Sequence, residues 1–195
     1  GGDKFANPII KSFDAKALDR HEAIEADESN DVVLREIVGC GTTVAGQRIA
    51  VVDPETCLER ANGEIGEVWV QGPGVAQGYW NNPESTSYTF DARLRDSDDG
   101  PFLRTGDLGF MQADELFITG RIKDLIIIRG RNHYPQDIER TVEDCHRSLR
   151  RDHGAAFSIQ HEGEERLVVV QGVVRPQKLD LDQLFSDIKS ALVQE

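Results

Sequence analysis

Long apolar runs and basic charge are both scarce in this 195-residue sequence. Its longest apolar runs, Leu125–Ile128 and Leu167–Val170, are far too short to span a bilayer. No charged segment followed by an apolar one opens the chain, so the sequence predicts no signal peptide. The net charge of −13 argues against nucleic acid or an anionic membrane as a partner, because both bind clustered cations. A small anion needs only a few local donors and is compatible with this charge.

Cysteine is also rare, with Cys40, Cys57 and Cys145 the three in the chain. They lack the paired spacing of a metal site and cannot all form disulfides with one another. Such usage is typical of a reducing compartment, and the sequence therefore predicts a cytoplasmic protein. Cys145 precedes His146, but no second pair stands at ligand spacing, which favours a core position for this cysteine.

The order of sequence patterns predicts an α+β fold that divides near Lys123. Residues 1–122 predict a β-rich, antiparallel subdomain that resembles a distorted barrel, because short β-branched runs alternate with Gly, Pro and Asp turns. Residues 123–195 predict a small α+β domain with a βαββα pattern. The domain boundary is therefore expected at 122/123.

Individual elements follow from periodicity and turn residues. Strands are predicted at 32–38, 47–52, 68–71, 102–104, 109–112, 116–119, 125–128, 155–159 and 167–174. A short helix is expected to begin at Pro83 and end at Phe90, because Pro and Glu are favoured in a first helical turn. A second helix begins at Pro135, and its apolar face comprises Ile138, Val142, Cys145 and Leu149.

The most informative segment is Arg104-Thr105-Gly106-Asp107-Leu108-Gly109, followed by Gly120-Arg121-Ile122-Lys123-Asp124. It predicts an aspartate in a Gly-flanked turn with an arginine on the next hairpin. A carboxylate can accept hydrogen bonds from two vicinal hydroxyls, and a guanidinium donates from a planar fork. Together the two suit a sugar diol beside a phosphate. Taken alone, Asp107 would be read as an ordinary turn residue.

With these segments the chain resembles the acyl-adenylate-forming superfamily, which includes acyl-CoA synthetases, luciferases and peptide-synthetase adenylation domains. The stretches Gly63–Val70 and Gly72–Trp80 resemble its other shared motif, which continues to Phe90. The sequence of the segment Arg129–Asp137 is most similar to that of the fatty acyl-AMP ligase branch. The resemblance is specific at 63–90 and 101–139 and fades after about residue 150.

This resemblance implies a nucleotide-binding role for three residues. Asp107 would bind the ribose hydroxyls of ATP and then of the acyl-adenylate, and Arg121 would contact the same ribose. Ile118 would pack on the nucleotide, although an ordinary place in the strand core is a nearly equal alternative.

The resemblance also implies that Lys123 is the hinge about which a small C-terminal domain rotates between adenylation and thiol transfer. The alternative is a solvated lysine at a strand edge. Arg129, Gly130, Arg131 and His133 are predicted on a loop before the Pro135 helix. This loop either lines a pantetheine channel during thiol transfer or is simply exposed.

The chain is expected to be an internal fragment, because it starts without Met and family members are roughly three times longer. It lacks a Ser/Thr/Gly-rich phosphate loop followed by Lys, a Tyr-Gly-Xaa-Glu-type segment for adenine and Mg²⁺, and a C-terminal Gly-Lys. The Mg²⁺ ligands and the catalytic lysine are therefore expected elsewhere in a longer protein. The fragment alone is predicted to be inactive.

Three functions remain open from the sequence. The first is a fatty acyl-AMP ligase that activates a fatty acid with ATP for transfer to the phosphopantetheine thiol of an acyl carrier protein. The second is a long-chain acyl-CoA ligase with the same chemistry and free CoA as acceptor. The third is a non-catalytic module that docks a carrier protein.

Overall fold

A computed structural model of the chain describes residues 7–27, 29, 31–128, 131–174 and 179–194. The chain forms two compact units, Gly1–Lys123 and Asp124–Glu195. The described sheets are antiparallel, and the helices lie among them in chain order, so the predicted α+β class is confirmed. The described residues form open sheets, and none of these sheets closes into a barrel, although the sequence predicted a barrel-like subdomain.

The first unit is built on a four-stranded sheet with strands in sequential order, β3-β4-β5-β6. A separate two-stranded sheet pairs β1 with β2. The elements of this unit are β1 Ile10–Asp14, α1 Ala15–Leu18, β2 Leu34–Val38, β3 Arg48–Val52, β4 Gly66–Gln71, α2 Pro83–Phe90, β5 Leu103–Gln112 and β6 Glu115–Arg121. A 3₁₀ turn, Ile122–Asp124, follows β6.

Aromatic and β-branched side chains form the core of this unit. Phe110 and Phe117 stack with ring centroids 5.2 Å apart, and Phe13 meets both rings edge-on. A second buried cluster contains Trp69, Phe102 and Val52, all of which are fully buried. Packing of this kind makes the sheet a rigid base for the strand ends that it carries.

Helix α2 has the start that the sequence predicts. Asn82 caps it, with Oδ1 accepting from Ser85 N at 3.1 Å, and Pro83 and Glu84 occupy the first turn. Pro has no N–H to lose there, and a carboxylate is favoured at the positive end of the helix dipole. The predicted helix from Pro83 to Phe90 is confirmed.

The second unit comprises β7 Ile126–Ile128, β8 Arg131–His133, α3 Pro135–Cys145, β9 Leu149–His161, β10 Glu164–Val173 and α4 Leu181–Gln194. The order is ββαββα, one strand more than predicted. Strands β9 and β10 form a long hairpin, and its two-residue turn, Glu162-Gly163, has positive φ at both positions. That geometry matches the right-handed twist of the paired strands.

Helix α3 ends earlier than its apolar pattern suggested. It stops at Cys145, because His146 is extended, and Leu149 opens β9 instead of closing the helix. Leu149 nevertheless packs with Val142 and Leu184 in one buried cluster, against which Cys145 also packs. The predicted helix from Pro135 is thus confirmed for Ile138, Val142 and Cys145, whereas Leu149 was correctly predicted to be buried but wrongly assigned to the helix.

Candidate functional site

A wide bulge in β5 presents Asp107. Glu67 of β4 pairs with Leu108 and Trp69 pairs with Arg104, so Thr105–Asp107 all stand opposite Val68. The sequence predicted a turn between two strands at this point, and that prediction was wrong: β5 runs unbroken from Leu103 to Gln112. A bulge leaves residues outside the ladder and re-aims their side chains.

Asp107 meets Arg121 across the neighbouring strand pair. The two residues are in register between β5 and β6, and Arg121 Nε donates to Asp107 Oδ1 at 2.9 Å. The Asp107 side chain is 35% exposed and the Arg121 side chain 65% exposed. The structure therefore brings the two predicted residues together and leaves both accessible to a ligand.

Backbone and side-chain contacts hold the bulge in place. Gly106 has a φ of +73°, a backbone conformation that residues other than glycine adopt only with strain. Thr105 Oγ1 donates to Val68 O at 2.7 Å and accepts from Asp107 N at 3.0 Å. Glu67 Oε1 accepts from Gly106 N at 3.1 Å. Each residue of the bulge thus has a defined hydrogen-bond partner in place of the interrupted β4–β5 ladder.

The sequence reading missed the buried charge pair beneath this bulge. Glu67 is 2% exposed and pairs with Arg104, whose Nη2 lies 2.7 Å from Glu67 Oε2. The Arg104 guanidinium also lies over the Tyr88 ring at 4.5 Å and the Trp69 ring at 5.4 Å from the centroids. The available signal was a glutamate among buried positions of β4, since such a carboxylate needs a partner.

Ile118 lies in β6, the strand that ends at Arg121, and pairs with Gly109 of β5. It is partly buried, and a Cβ on Gly109 would approach its Cδ1 to 3.2 Å and the Phe117 carbonyl oxygen to 2.4 Å. The absence of a side chain at Gly109 therefore lets β5 and β6 approach closely at this point. Two roles were expected for Ile118, packing on the nucleotide or an ordinary place in the strand core. The contact between Ile118 and Gly109 favours neither of them.

Lys123 is exposed and lies in the 3₁₀ turn at the end of the first unit. With residues of α2 and the segment before it, it lines an open cleft of about 660 Å³. The other lining residues are Tyr79, Asn82, Glu84, Ser85, Tyr88 and Thr89. The cleft mixes aromatic rings with polar groups and stands beside the Arg104–Tyr88 contact.

The predicted thiol-transfer loop is only partly visible. Arg129 and Gly130 lie outside the described residues. Arg131 and His133 belong to β8, which pairs with β7 in the register Ile128↔Arg131 and Ile126↔His133. The prediction of a loop was therefore wrong for these two residues: backbone pairing with β7 draws them into a short hairpin. Arg131 is exposed and His133 partly buried.

A metal site is not formed by the described residues, among which no group of three or more His, Cys, Asp or Glu side chains could hold an ion. The described residues therefore supply no cluster that fits Mg²⁺. Cys40, Cys57 and Cys145 are free thiols. Burial raises the pKa of the Cys145 thiol, with Asp187 adding to the shift, which agrees with a core role.

No helix among the described residues is long and apolar enough to cross a membrane.

Known families match both parts of the chain. A family described as "AMP-binding enzyme" matches residues 26–80, and one described as "Disco-interacting protein 2-like, AMP domain" matches residues 123–195. The chain belongs to the AMP-binding enzyme superfamily, which confirms the resemblance carried by its motifs. Within that superfamily it is similar to fatty acyl-AMP ligases.

Individual relatives make that similarity specific. The medium-chain-fatty-acid–[acyl-carrier-protein] ligase JamA of Moorena producens is 49% identical over 189 residues, which are 95% of this chain and 32% of JamA. A Mycobacterium tuberculosis protein named as a fatty-acid–CoA ligase, FadD21, is 49% identical over 126 residues, 63% of this chain and 21% of FadD21. The chain thus spans about a third of the length of JamA.

Solved structures agree. A structure from a study of fatty acyl-adenylate ligases from E. coli and L. pneumophila superposes with a TM-score of 0.78 at 25% identity, over 98% of this chain and 32% of that one. The L. pneumophila fatty acyl-adenylate ligase in complex with acyl adenylate and pyrophosphate gives a TM-score of 0.58 at 38% identity, over 96% and 32%.

Proposed function

We propose that this chain is part of a fatty acyl-AMP ligase, which joins a fatty acid to AMP and then delivers the acyl group to an acyl carrier protein. The observation that carries the proposal is the Asp107–Arg121 pair, in which a bulge of the inner strand β5 presents Asp107 to Arg121 at the end of the edge strand β6. The names of JamA and the L. pneumophila ligase support the substrate class and the carrier-protein acceptor.

Asp107 is proposed to accept hydrogen bonds from the ribose hydroxyls of ATP and of the acyl-adenylate. Its ion pair with Arg121 orients the carboxylate, and a charged acceptor forms stronger hydrogen bonds than a neutral one. Arg121, the more exposed partner, would then contact the same ribose. Ile118 is proposed to pack against the nucleotide.

Lys123 is proposed as the hinge for the second half-reaction. Its position at the end of the first compact unit, in a short 3₁₀ turn with an exposed side chain, supports this role. A pivot must change its backbone dihedrals without disturbing a packed core. Residues 1–122 would then belong to the large domain and residues 123–195 to the small one. Arg129, Gly130, Arg131 and His133 would serve thiol transfer.

In the complete enzyme the fatty-acid carboxylate would attack the α-phosphate of ATP and release pyrophosphate. The carrier's phosphopantetheine thiol would then displace AMP. Mg²⁺, when bound, would neutralise charge on the phosphates, and its ligands are proposed to lie outside this chain, elsewhere in the longer protein. ATP as substrate also supports a cytoplasmic setting.

Coenzyme A as acceptor is the second candidate, and the name of the similar protein FadD21, a fatty-acid–CoA ligase, favours it. Both candidates are tested by one assay on the full-length protein that carries this chain. Pyrophosphate release is measured with a panel of fatty acids, and acyl transfer is measured with holo carrier protein and with CoA. Loading of the carrier alone supports the first proposal, and loading of CoA supports the second. Without acid-dependent pyrophosphate release, both are wrong.

A further inference from the structure

Beneath the proposed nucleotide site lies a carboxylate to which neither the motifs nor the relatives assign a role. Glu67 is almost completely buried, with 3% of its side chain exposed, and its partner Arg104 has 12% exposed. Removing a carboxylate from water is expensive unless every acceptor position gains a donor. Glu67 meets this requirement with donors from three residues, all at or next to the bulge.

The two oxygens of Glu67 do different work. Oε2 accepts from Trp69 Nε1 at 2.9 Å and from Arg104 Nε at 2.9 Å and Nη2 at 2.7 Å. Oε1 accepts from Gly106 N at 3.1 Å. Trp69 and Arg104 therefore fix the position of Oε2. Because the two oxygens belong to one rigid carboxylate, Oε1 is fixed as well, at the point where it accepts from Gly106 N.

Gly106 is the residue before Asp107, and it lies in the bulge where the β4–β5 ladder is interrupted. Its N–H therefore needs a partner other than a strand carbonyl, because an unpaired backbone donor is costly inside a protein. Glu67 supplies that partner. Its hold on Gly106, together with φ of +73° there, sets the direction in which the next side chain leaves the strand.

A buried ion pair is weak evidence for stability, since apolar side chains of similar size are often as stabilising. What apolar side chains cannot supply is an acceptor at a fixed point beneath Gly106. Arg104 also links the bulge to α2, because its guanidinium is stacked on Tyr88. The contacts thus physically join the sequence segment at 63–90 to the one at 101–109.

We propose that Glu67 is a positioning residue for the nucleotide site: its carboxylate fixes the β5 bulge so that Asp107 meets Arg121 in ligand-ready geometry. The nucleotide part rests on the proposed function. The hold on the bulge stands on the contacts of Glu67 alone.

The test uses the 195-residue chain, labelled with ¹⁵N. Glu67→Gln keeps the size of the side chain but has one acceptor oxygen instead of two. The charge of Arg104 draws that oxygen, and the amide –NH₂ then faces Gly106 N. We expect Gly106 amide exchange to accelerate by about tenfold or more, the Arg121 Nε–H signal to move, and AMP affinity to fall by about tenfold.

Glu59→Gln is the matched control, because Glu59 pairs with Arg48 on the surface and its side chain is 42% exposed. It should leave Gly106 exchange, the Arg121 signal and the AMP response unchanged. The indole signals provide a further check. Trp69 donates to Glu67 and should shift in Glu67→Gln, whereas Trp80, 98% exposed, should not.

A double variant, Glu67→Met with Arg104→Met, separates positioning from stability and also serves if Glu67→Gln does not fold. It removes both buried charges together, so no ion is left unpaired. Positioning predicts fast Gly106 exchange and a weak AMP response in a folded double variant. Recovery of both signals to within twofold of the unsubstituted chain would overturn the proposal, as would unchanged Gly106 exchange in Glu67→Gln.

The AMP arm also keeps the two proposals apart. If the unsubstituted chain gives no AMP response while Glu67→Gln still releases Gly106, the nucleotide assignment fails and the hold on the bulge is supported. If AMP binds normally and Glu67→Gln changes neither Gly106 nor AMP affinity, the nucleotide assignment is supported and Glu67 has no positioning role.

Discussion

At Asp107 the fold surrounds a proposed binding residue with hydrogen-bond partners, whereas at Lys123 and Arg131 it leaves charged side chains exposed on short elements. Thr105, Glu67 and Arg121 fix the first site from three directions. Lys123 lies in a three-residue 3₁₀ turn, and Arg131 begins a three-residue strand. The difference is one of preorganisation.

The two proposed roles need these opposite designs. A residue that meets a ligand in one geometry gains from fixed neighbours, because the ordering cost is met during folding. A pivot must instead change φ and ψ between two poses while packed elements stay intact.

The 195-residue chain by itself should not form acyl-AMP, although it contains the proposed ribose site. The sequence has no phosphate loop followed by Lys and no C-terminal Gly-Lys, and these groups act on the transition state. ATP–pyrophosphate exchange with a panel of fatty acids is the assay. Robust turnover by the purified chain would contradict this prediction, because it would show that the catalytic groups lie within these 195 residues.

Lys123→Pro in the full-length protein should affect the two half-reactions unequally, by about tenfold or more. Proline fixes φ and restricts the preceding residue, so one pose is held. Pyrophosphate release without acceptor and acyl loading from supplied acyl-AMP are timed separately. Lys123→Ala is the matched control, since it removes the charge and keeps backbone freedom, and should change both steps little. Equal losses in a Lys123→Pro protein that remains folded by circular dichroism would rule out the hinge.

A smaller effect concerns the stability of the first unit below neutral pH. Burial, with help from Arg60, lowers the pKa of His21, so the folded state resists protonation there. The unfolded chain binds that proton near its ordinary pKa of 6.5, and stability is therefore full above this pH and falls as the pH drops below it. His21→Asn suits the φ of 63° and should flatten the decline.

Urea unfolding between pH 7.5 and 5.5, followed by fluorescence, measures this decline in the first unit, because both tryptophans, Trp69 and Trp80, lie there. Asp53→Asn is a companion variant. Hydrogen bonds from the backbone of Thr56 and Glu55, and the charge of Arg60, lower the pKa of Asp53, so its contribution to stability is full above its ordinary pKa of 3.8 and is lost only as the pH falls below that value. The Asp53→Asn substitution should lower the free energy of unfolding by about 1 kcal/mol throughout the range from pH 7.5 to 5.5. A slope in His21→Asn equal to that of the unsubstituted chain would contradict the His21 account.

Sequence patterns predicted much of this fold because local rules govern its hairpins and helix starts. The α2 start at Pro83 and the antiparallel β-rich part follow from capping and turn chemistry. The α3 end did not follow, because Leu149 keeps helical spacing while it belongs to a strand. Burial from two different elements produced a single apparent period.

The candidate site was half visible in the same way. Asp107 and Arg121 stand out by residue type and spacing, but the bulge that joins them depends on pairing between β4 and β5. Glu67 and Arg104 are 37 residues apart, and no local rule couples them. Strand β8 was read as a loop because three polar residues carry no apolar alternation.

The most direct measurement of the ribose assignment removes the proposed hydrogen bonds from both sides. Dissociation constants of the full-length protein are measured for ATP and for 2′,3′-dideoxy-ATP, in the unsubstituted enzyme, in Asp107→Ala and in the control Glu55→Ala, which removes an exposed carboxylate. The account predicts that the unsubstituted enzyme and Glu55→Ala prefer ATP by about tenfold or more, equivalent to roughly 1.5–3 kcal/mol for charged hydrogen bonds, and that Asp107→Ala loses this preference. Equal discrimination by all three proteins would show that Asp107 does not contact the ribose.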